Sequence, residues 1–280
     1  MDIPKPFLKW AGGKRKLASQ ILSLAGPISG DYYEPFLGAG AVYFAVGPLQ
    51  KKFINDANSE LINAYQALKQ EPETVIEHLG TFRAEKQFFL EIRSMDRDEN
   101  FGSLPSSFRA ARFIYLNKVG YNGLHRVNSK GHFNVPYGRN TGNFLDASNL
   151  LDVSKYLNAK VGRFAGTKIT NSDFVQATNT ASLGDFVYLD PPYAPLSDSS
   201  NFVSYAKLGF DLSDQIRVRD LFFDLAKRGV TVIASNSDTE FIRKIYKSRS
   251  ADLIPISVSR PINSNGSGRG AVPELLIRSK

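Results

Sequence analysis

Two rhythms of apolar and polar positions run along this chain, and their boundaries mark most of its elements. Asp31-Tyr32-Tyr33-Glu34 predicts a strand that runs into a turn at Gly38-Ala39-Gly40, beyond which a helix opens. Phe53-Ile54-Asn55-Asp56 predicts a second short strand, ending on an acid. From Asn58, a favourable N-cap, Leu61, Tyr65 and Leu68 recur on one helical face. Residues 168–170, 185–190 and 230–234 predict buried strands, and 213–228 predict an amphipathic helix stopped by Gly229. Strands alternating with helices towards both ends imply an α/β sheet covered on both faces. The middle differs: residues 59–160 are helical, basic and aromatic, with no strand expected, and read as an insertion into the α/β domain formed by 1–58 and 161–280.

Composition narrows the chemistry. The chain has 280 residues, 35 Lys+Arg against 27 Asp+Glu, 3 His and no Cys, a formal charge of +8. Without cysteine there is no disulfide framework, thiolate metal cluster or thiol nucleophile. Three histidines, at 78, 125 and 132, argue against a histidine-rich metal site, so no metal is expected. No apolar run approaches the ~20 residues that span a bilayer, and Met-Asp-Ile-Pro-Lys-Pro is not a signal peptide. The cytoplasm is the expected location. The positive charge invites a polyanionic partner without identifying one.

Three glycine and proline motifs carry candidate chemistry. In Lys9-Trp10-Ala11-Gly12-Gly13-Lys14 the phosphate-loop pattern fails, because Leu8 and Arg15 stand where Gly and Ser or Thr are needed. A tight turn at a helix start remains, flanked by a cation and an indole; a capped surface helix reads the same way. In Glu34-Pro35-Phe36-Leu37-Gly38-Ala39-Gly40, two glycines after a strand let a ligand approach the backbone. Tyr43 occupies the third glycine position of a dinucleotide fingerprint, which disfavours NAD. Asp56 ends the next strand, where an acid can accept from ribose hydroxyls. A purely structural turn is the alternative. Asp190-Pro191-Pro192-Tyr193 follows a buried strand, where open α/β sheets place their ligands. An Asp oxygen, a carbonyl and a ring suit an amino group on a planar heterocycle; a Pro-rich structural turn is the alternative.

Together these motifs resemble, in order, those of Dam-type DNA adenine-N6 methyltransferases. Leu116-Asn117-Lys118-Val119-Gly120-Tyr121-Asn122-Gly123-Leu124-His125-Arg126, Phe133-Asn134-Val135-Pro136-Tyr137-Gly138-Arg139 and Asn263-Ser264-Asn265-Gly266 extend the resemblance over nearly the whole chain. It implies a Rossmann-like S-adenosylmethionine-dependent methyltransferase domain with an inserted helical DNA-recognition domain at 59–160. The implied reaction moves a methyl group from S-adenosylmethionine to adenine N6 in double-stranded DNA, within GATC, on a flipped-out base. By resemblance the cofactor contacts are Trp10, Ala11, Lys14, Glu34, Phe36, Gly38, Gly40, Asp56, Asp173, Phe174 and Asp190. Asp190, Pro191 and Tyr193 would hold the target amine and stack on its ring.

The resemblance assigns base contacts to Asn122, Leu124, Arg126 and Pro136, with Tyr121 beside the gap, Lys9 near the first guanine, Lys118 and Arg139 on phosphates, and Asn263 and Asn265 near the flipped base. His125 occupies a variable position and receives no role. A monomer with no obligate protein partner and no membrane association is expected. Two other readings stay open: an amino-methyltransferase acting on a protein glutamine amide or an RNA base, and a DNA-binding module without turnover. The basic, aromatic insertion discriminates against the first, and the intact Asp190, Tyr193, Trp10 and Asp56 against the second.

Overall fold

Phe186, Val187, Tyr188 and Leu189 are all buried, the signature of a parallel strand covered on both faces. The computed structural model describes residues 3–47, 50–139, 143–163, 166–195, 210–259 and 271–280. Among these, the strands are β1 (Tyr32–Glu34), β2 (Lys52–Asn55), β3 (Lys168–Thr170), β4 (Phe186–Leu189), β5 (Thr231–Ser237), β6 (Ala251–Ser259) and β7 (Ala271–Ser279). The chain divides into two compact units. The first takes Met1–Lys14, Gly38–Leu49 and Asp56–Asn171; the second takes Arg15–Leu37, Gln50–Asn55 and Ser172–Lys280. Their residues make a mixed α/β protein.

In the second unit the strands lie in the order β2-β1-β4-β5-β7-β6. β1 pairs in parallel with β2 and with β4, and β4 in parallel with β5. β7 runs antiparallel to β5 and to β6. Chain order reverses between β1 and β4, so their carboxyl ends, at Glu34 and Leu189, open a crevice of the kind that binds ligands in α/β sheets. The helix Leu212–Lys227 is fixed by a capping box between Asp211 and Asp214 and contributes Val218, Leu221, Phe222 and Leu225 to the core. Gly229, at φ 78°, ends it as the sequence predicts.

The first unit is largely helical and holds all of 59–160. Asn58 accepts from the Leu61 N–H at 3.0 Å and starts the helix Ser59–Gln70, whose Leu61, Tyr65 and Leu68 are fully buried. The helix Ser106–Val119 is buried nearly all round, including the polar Arg112 and Asn117. Such a helix sits at a core, and its polar side chains must find partners there.

Some expectations need correction. The turn at Gly12-Gly13 does not open a helix directly: turn residues intervene and the helix is Ala18–Ala25. β3 is not a buried strand, since Lys168 is exposed and its neighbours are half-buried. β6 and β7 have no counterpart in the predicted elements. Pro255, Pro273 and the charged Glu274 interrupt their apolar pattern, and proline demotes a run to an edge or a non-strand. In the fold, β6 is an edge strand that tolerates Pro255, while Glu274, Leu275, Leu276 and Ile277 of β7 are all buried.

Candidate active site and nucleic-acid interface

In the first unit, the Gly13 N–H donates to the Trp10 carbonyl at 3.1 Å, with Gly12 at φ 76°. That is a type II turn, which needs glycine at its third position. Lys14 is buried and its Nζ donates to the Gly12 carbonyl at 2.6 Å, closing the turn from below. Ala11 and Gly12 remain exposed at the corner. Gly38 has φ 50°, and a Cβ there would lie 2.7 Å from Trp10 Cδ1, so only glycine admits the indole. The Gly38 N–H donates to Asp56 Oδ2 at 3.0 Å, and the Asn58 N–H to Asp56 Oδ1 at 3.0 Å. Burial raises the pKa of Asp56, against the pull of the Gly38, Asn58 and Ala57 N–H groups. Gly40, left-handed at φ 67°, begins the short helix Ala41–Ala45. Trp10, Gly38 and Asp56 are thus one contiguous group.

The segment 121–139, the candidate for DNA contact, belongs to the same unit. Asn122 at φ 54° and Gly123 at φ 65° put two left-handed residues in succession, and the Leu124 N–H reaches the Tyr121 carbonyl at 3.2 Å. This is a type I′ turn, the geometry that Asn-Gly favours. The Tyr121 N–H donates to the Pro136 carbonyl at 2.8 Å, and Val127 pairs with Phe133 across a hairpin. Arg126 Nε donates to Asn134 Oδ1 at 2.7 Å, bracing the guanidinium along that hairpin. Tyr121, Asn122, Arg126, Pro136 and Arg139 are exposed, Leu124 and Lys118 half-buried. Burial, then the charge on Lys9, lowers the pKa of Lys118. Asn263 and Asn265 lie outside the described residues.

His125 is a residue that sequence reading left without a role. Its ring stacks on Trp10 at 5.4 Å and lies 5.3 Å from Phe113 and 5.8 Å from Phe133. Burial, with the Arg112 charge adding to it, lowers its pKa from 6.5 to about 4. Between those values the unfolded chain takes up a proton that the folded chain refuses. The stability is therefore complete above the unfolded pKa and is lost as pH falls from 6.5 towards 4, by at most ~3 kcal/mol. Urea unfolding at pH 7 and pH 4.5 should show this loss, and His125→Phe should reduce it. Equal pH dependence in the two proteins would contradict the assignment.

The second unit holds the amine candidate. Ser235 Oγ donates to Asp190 Oδ1 at 2.5 Å, and the Tyr188 hydroxyl lies 2.9 Å from Ser235 Oγ. With the serine proton committed to the carboxylate, Tyr188 is the donor to Ser235. Burial, then the Asp190 charge, raises the Tyr188 pKa far above the phenol range. Tyr193 donates to Glu274 Oε2 at 3.0 Å, and burial, then Asp190 and Glu274, keeps it neutral. The Pro192 carbonyl accepts from Gln215 Nε2 at 2.6 Å, and the Ala194 N–H donates to Asn236 Oδ1 at 3.0 Å. Pro191 is buried and Pro192 exposed. The whole loop is therefore pinned by β5, β7 and the helix Leu212–Lys227.

At the end of β1, buried Glu34 accepts from the Tyr32 hydroxyl at 2.6 Å. Phe36 packs on Phe174 at 5.1 Å, and Phe210 closes on both at 6.0 and 6.3 Å. Asp173 caps the short helix Phe174–Ala177 through the Val175 N–H at 2.9 Å and pairs with Arg217 at 2.6 Å. Desolvation opposes its charge, but Arg217 and the Val175 N–H outweigh it and hold the carboxyl below the usual range. Asn55 donates to the Pro35 and Ser172 carbonyls at 3.1 and 3.0 Å, joining those two turns. Ser235, Glu274, Asn55 and Phe210 escaped the sequence reading. Asn55 stood beside Asp56 and Ser235 followed the apolar run Val232-Ile233-Ala234, so position alone could have flagged them; Glu274 carried no such signal.

The motif order, the switch point at β1 and β4, and the pinned Asp-Pro-Pro-Tyr loop converge on one enzyme class. The chain matches the D12 class of N6 adenine-specific DNA methyltransferases over residues 10–262. It belongs to that family and is an enzyme of that type. It is similar to the type II methyltransferase M1.LlaDCHI of Lactococcus lactis subsp. cremoris, 42% identical over 98% of this chain and 94% of the relative. It is also similar to DNA adenine methylases of Vibrio cholerae, 36% identical over 99% of this chain and 96% of the relative, and of Escherichia coli K12, 33% over 99% and 95%. Among the described residues no helix is long and apolar enough to cross a membrane.

Proposed function

We propose that this enzyme methylates adenine N6 within GATC in duplex DNA, with S-adenosylmethionine as donor and the target base flipped out of the stack. The observation that carries the reading is Asp190, an acid after β4 whose Oδ1 is already committed to Ser235. S-adenosylmethionine, when bound, supplies an electrophilic methyl group. The residues of each unit suit it: in the first, Asp56 offers carboxylate oxygens for ribose hydroxyls and Gly38 admits the Trp10 indole beside it; in the second, Phe36 and Phe174 offer ring faces for a purine. The reading also assigns to the cofactor Ala11, Lys14 and Gly40 of the first unit and Glu34 and Asp173 of the second, with Asp173 accepting from the purine amine.

Adenine N6 is a poor nucleophile because its lone pair is delocalised into the ring. Accepting its hydrogens at Asp190 and at the Pro191 carbonyl favours a pyramidal nitrogen whose lone pair is released for attack. Tyr193, held neutral on Glu274, stacks on the flipped base and replaces part of the stacking it lost. Fixing both reactants supplies much of the acceleration. No covalent adduct with the protein forms, so a chain without cysteine suffices.

Reading of the site falls to the exposed hairpin. Arg126 forks towards a guanine, Asn122, Leu124 and Pro136 meet base edges, Lys9 lies near the first guanine, and Tyr121 stands beside the gap. Lys118, Arg139, Asn263 and Asn265 position the backbone. The test incubates the protein with labelled S-adenosylmethionine and duplexes that contain or lack GATC. N6-methyladenine should form only where GATC is present. Equal labelling of both duplexes would overturn the target, and binding without labelling would favour a module without turnover.

A further inference from the structure

Asn117 lies near the end of the helix Ser106–Val119 and is 1% exposed. Its amide is used in full. Oδ1 accepts from the Lys9 N–H at 2.8 Å, and Nδ2 donates to the Lys9 carbonyl at 2.8 Å and to the Gly123 carbonyl at 3.0 Å. An amide has two donors and an acceptor, so one side chain holds both backbone groups of Lys9 and one of the recognition turn. A second contact works on the same pair. A Cβ on Gly123 would lie 2.4 Å from Lys9 Cδ and 2.6 Å from Lys9 Cβ, so the lysine stem runs across the bare glycine. Lys9 itself is exposed, so its ammonium leaves this contact towards solvent.

We infer that Asn117 is a specificity-positioning residue: it locks Lys9 to the turn Tyr121–Gly123, so that lysine and hairpin read neighbouring bases as one rigid element. The inference rests on the GATC reading above, in which Lys9 faces the first guanine. Lysine alone discriminates poorly, because its ammonium is a flexible point charge. Fixing the stem at both backbone atoms and across Gly123 removes that freedom and gives the charge a defined place relative to Arg126. The turn closes on its own bond from the Leu124 N–H to the Tyr121 carbonyl, so the amide, which holds Lys9 with one end and the Gly123 carbonyl with the other, serves to join Lys9 to the turn.

The test measures kcat/KM of the wild type, Asn117→Ala, Lys9→Ala and the double variant on duplexes with each position of GATC replaced in turn. Circular dichroism melts accompany each protein. Discrimination at the first guanine should fall about tenfold in Asn117→Ala and in Lys9→Ala, and the double variant should lose little more than either. Discrimination at the other positions should change less. An even fall across all duplexes, or additive losses in the double variant, overturns the inference while leaving the GATC reading intact. A wild type that treats every duplex alike removes the reading and the inference with it. If Asn117→Ala does not fold, Gly123→Ala keeps the Asn117 side chain but displaces the Lys9 stem and strains the left-handed turn it crosses, and should show the same selective loss; retained discrimination there overturns the inference.

Discussion

Replacing Asp190 by alanine is expected to slow methyl transfer at least about a hundredfold while leaving duplex binding nearly unchanged. Preorganised polar groups aimed at a reacting centre are worth roughly 10²–10³ in rate when one is removed. Asp190 is preorganised in that sense: Ser235 holds Oδ1 at 2.5 Å, and Tyr188 holds Ser235 in turn at 2.9 Å. Alanine removes the acceptor but leaves the loop, which is pinned separately through Gln215 and Asn236. The measurement is a single-turnover rate beside a duplex titration. A variant that turns over within a few-fold of wild type would sink the amine site. One that fails to bind DNA would instead show that Asp190 shapes the interface.

Arg112→Met should be the most destabilising single change of those considered. Arg112 is 4% exposed, donates to the carbonyls of Ile92 and Arg93 at 2.8 and 2.9 Å, and pairs with Asp96 at 3.0 Å. Asp96 also accepts from the Phe133 N–H at 2.7 Å, so the ion pair holds one strand of the hairpin to the central helix. Removing one partner of a buried pair leaves the other charge uncompensated and costs about 3–5 kcal/mol. For a chain of this size that lowers the melting temperature by about 10 °C. Calorimetry reads it directly. A shift within one or two degrees would mean that the pair is solvated and that the hairpin is held by its apolar contacts alone.

Elements with a strong period and clear punctuation were legible in the sequence. The helix begun by Asn58, the helix stopped by Gly229 and the apolar run of β4 follow from local rules, and tertiary packing only confirmed them. β6 and β7 were not legible, because Pro255 is tolerated through its place at an edge and buried Glu274 through distant partners such as Tyr193. Neither condition is local. The same holds for the site. Gly38 and Asp190 announce themselves by glycine and proline context. Ser235 and Asn117 carry no residue type that stands out, and their roles come from distant partners: Asn117 reaches Lys9 across 108 positions of sequence.

The edge strand β6 has one more consequence, for self-association. An unpaired outer strand exposes a row of backbone donors and acceptors on which a second copy can build a continuous sheet, the first step of aggregation. β6 spans nine residues, long enough for such templating, yet it carries Pro255, exposed and lacking a backbone N–H. Asp252, tied to Lys280 at 2.9 Å, puts an ion pair on the same strand. The proline that hid this strand in the sequence is therefore also a gatekeeper, keeping the end of the sheet from recruiting its own kind.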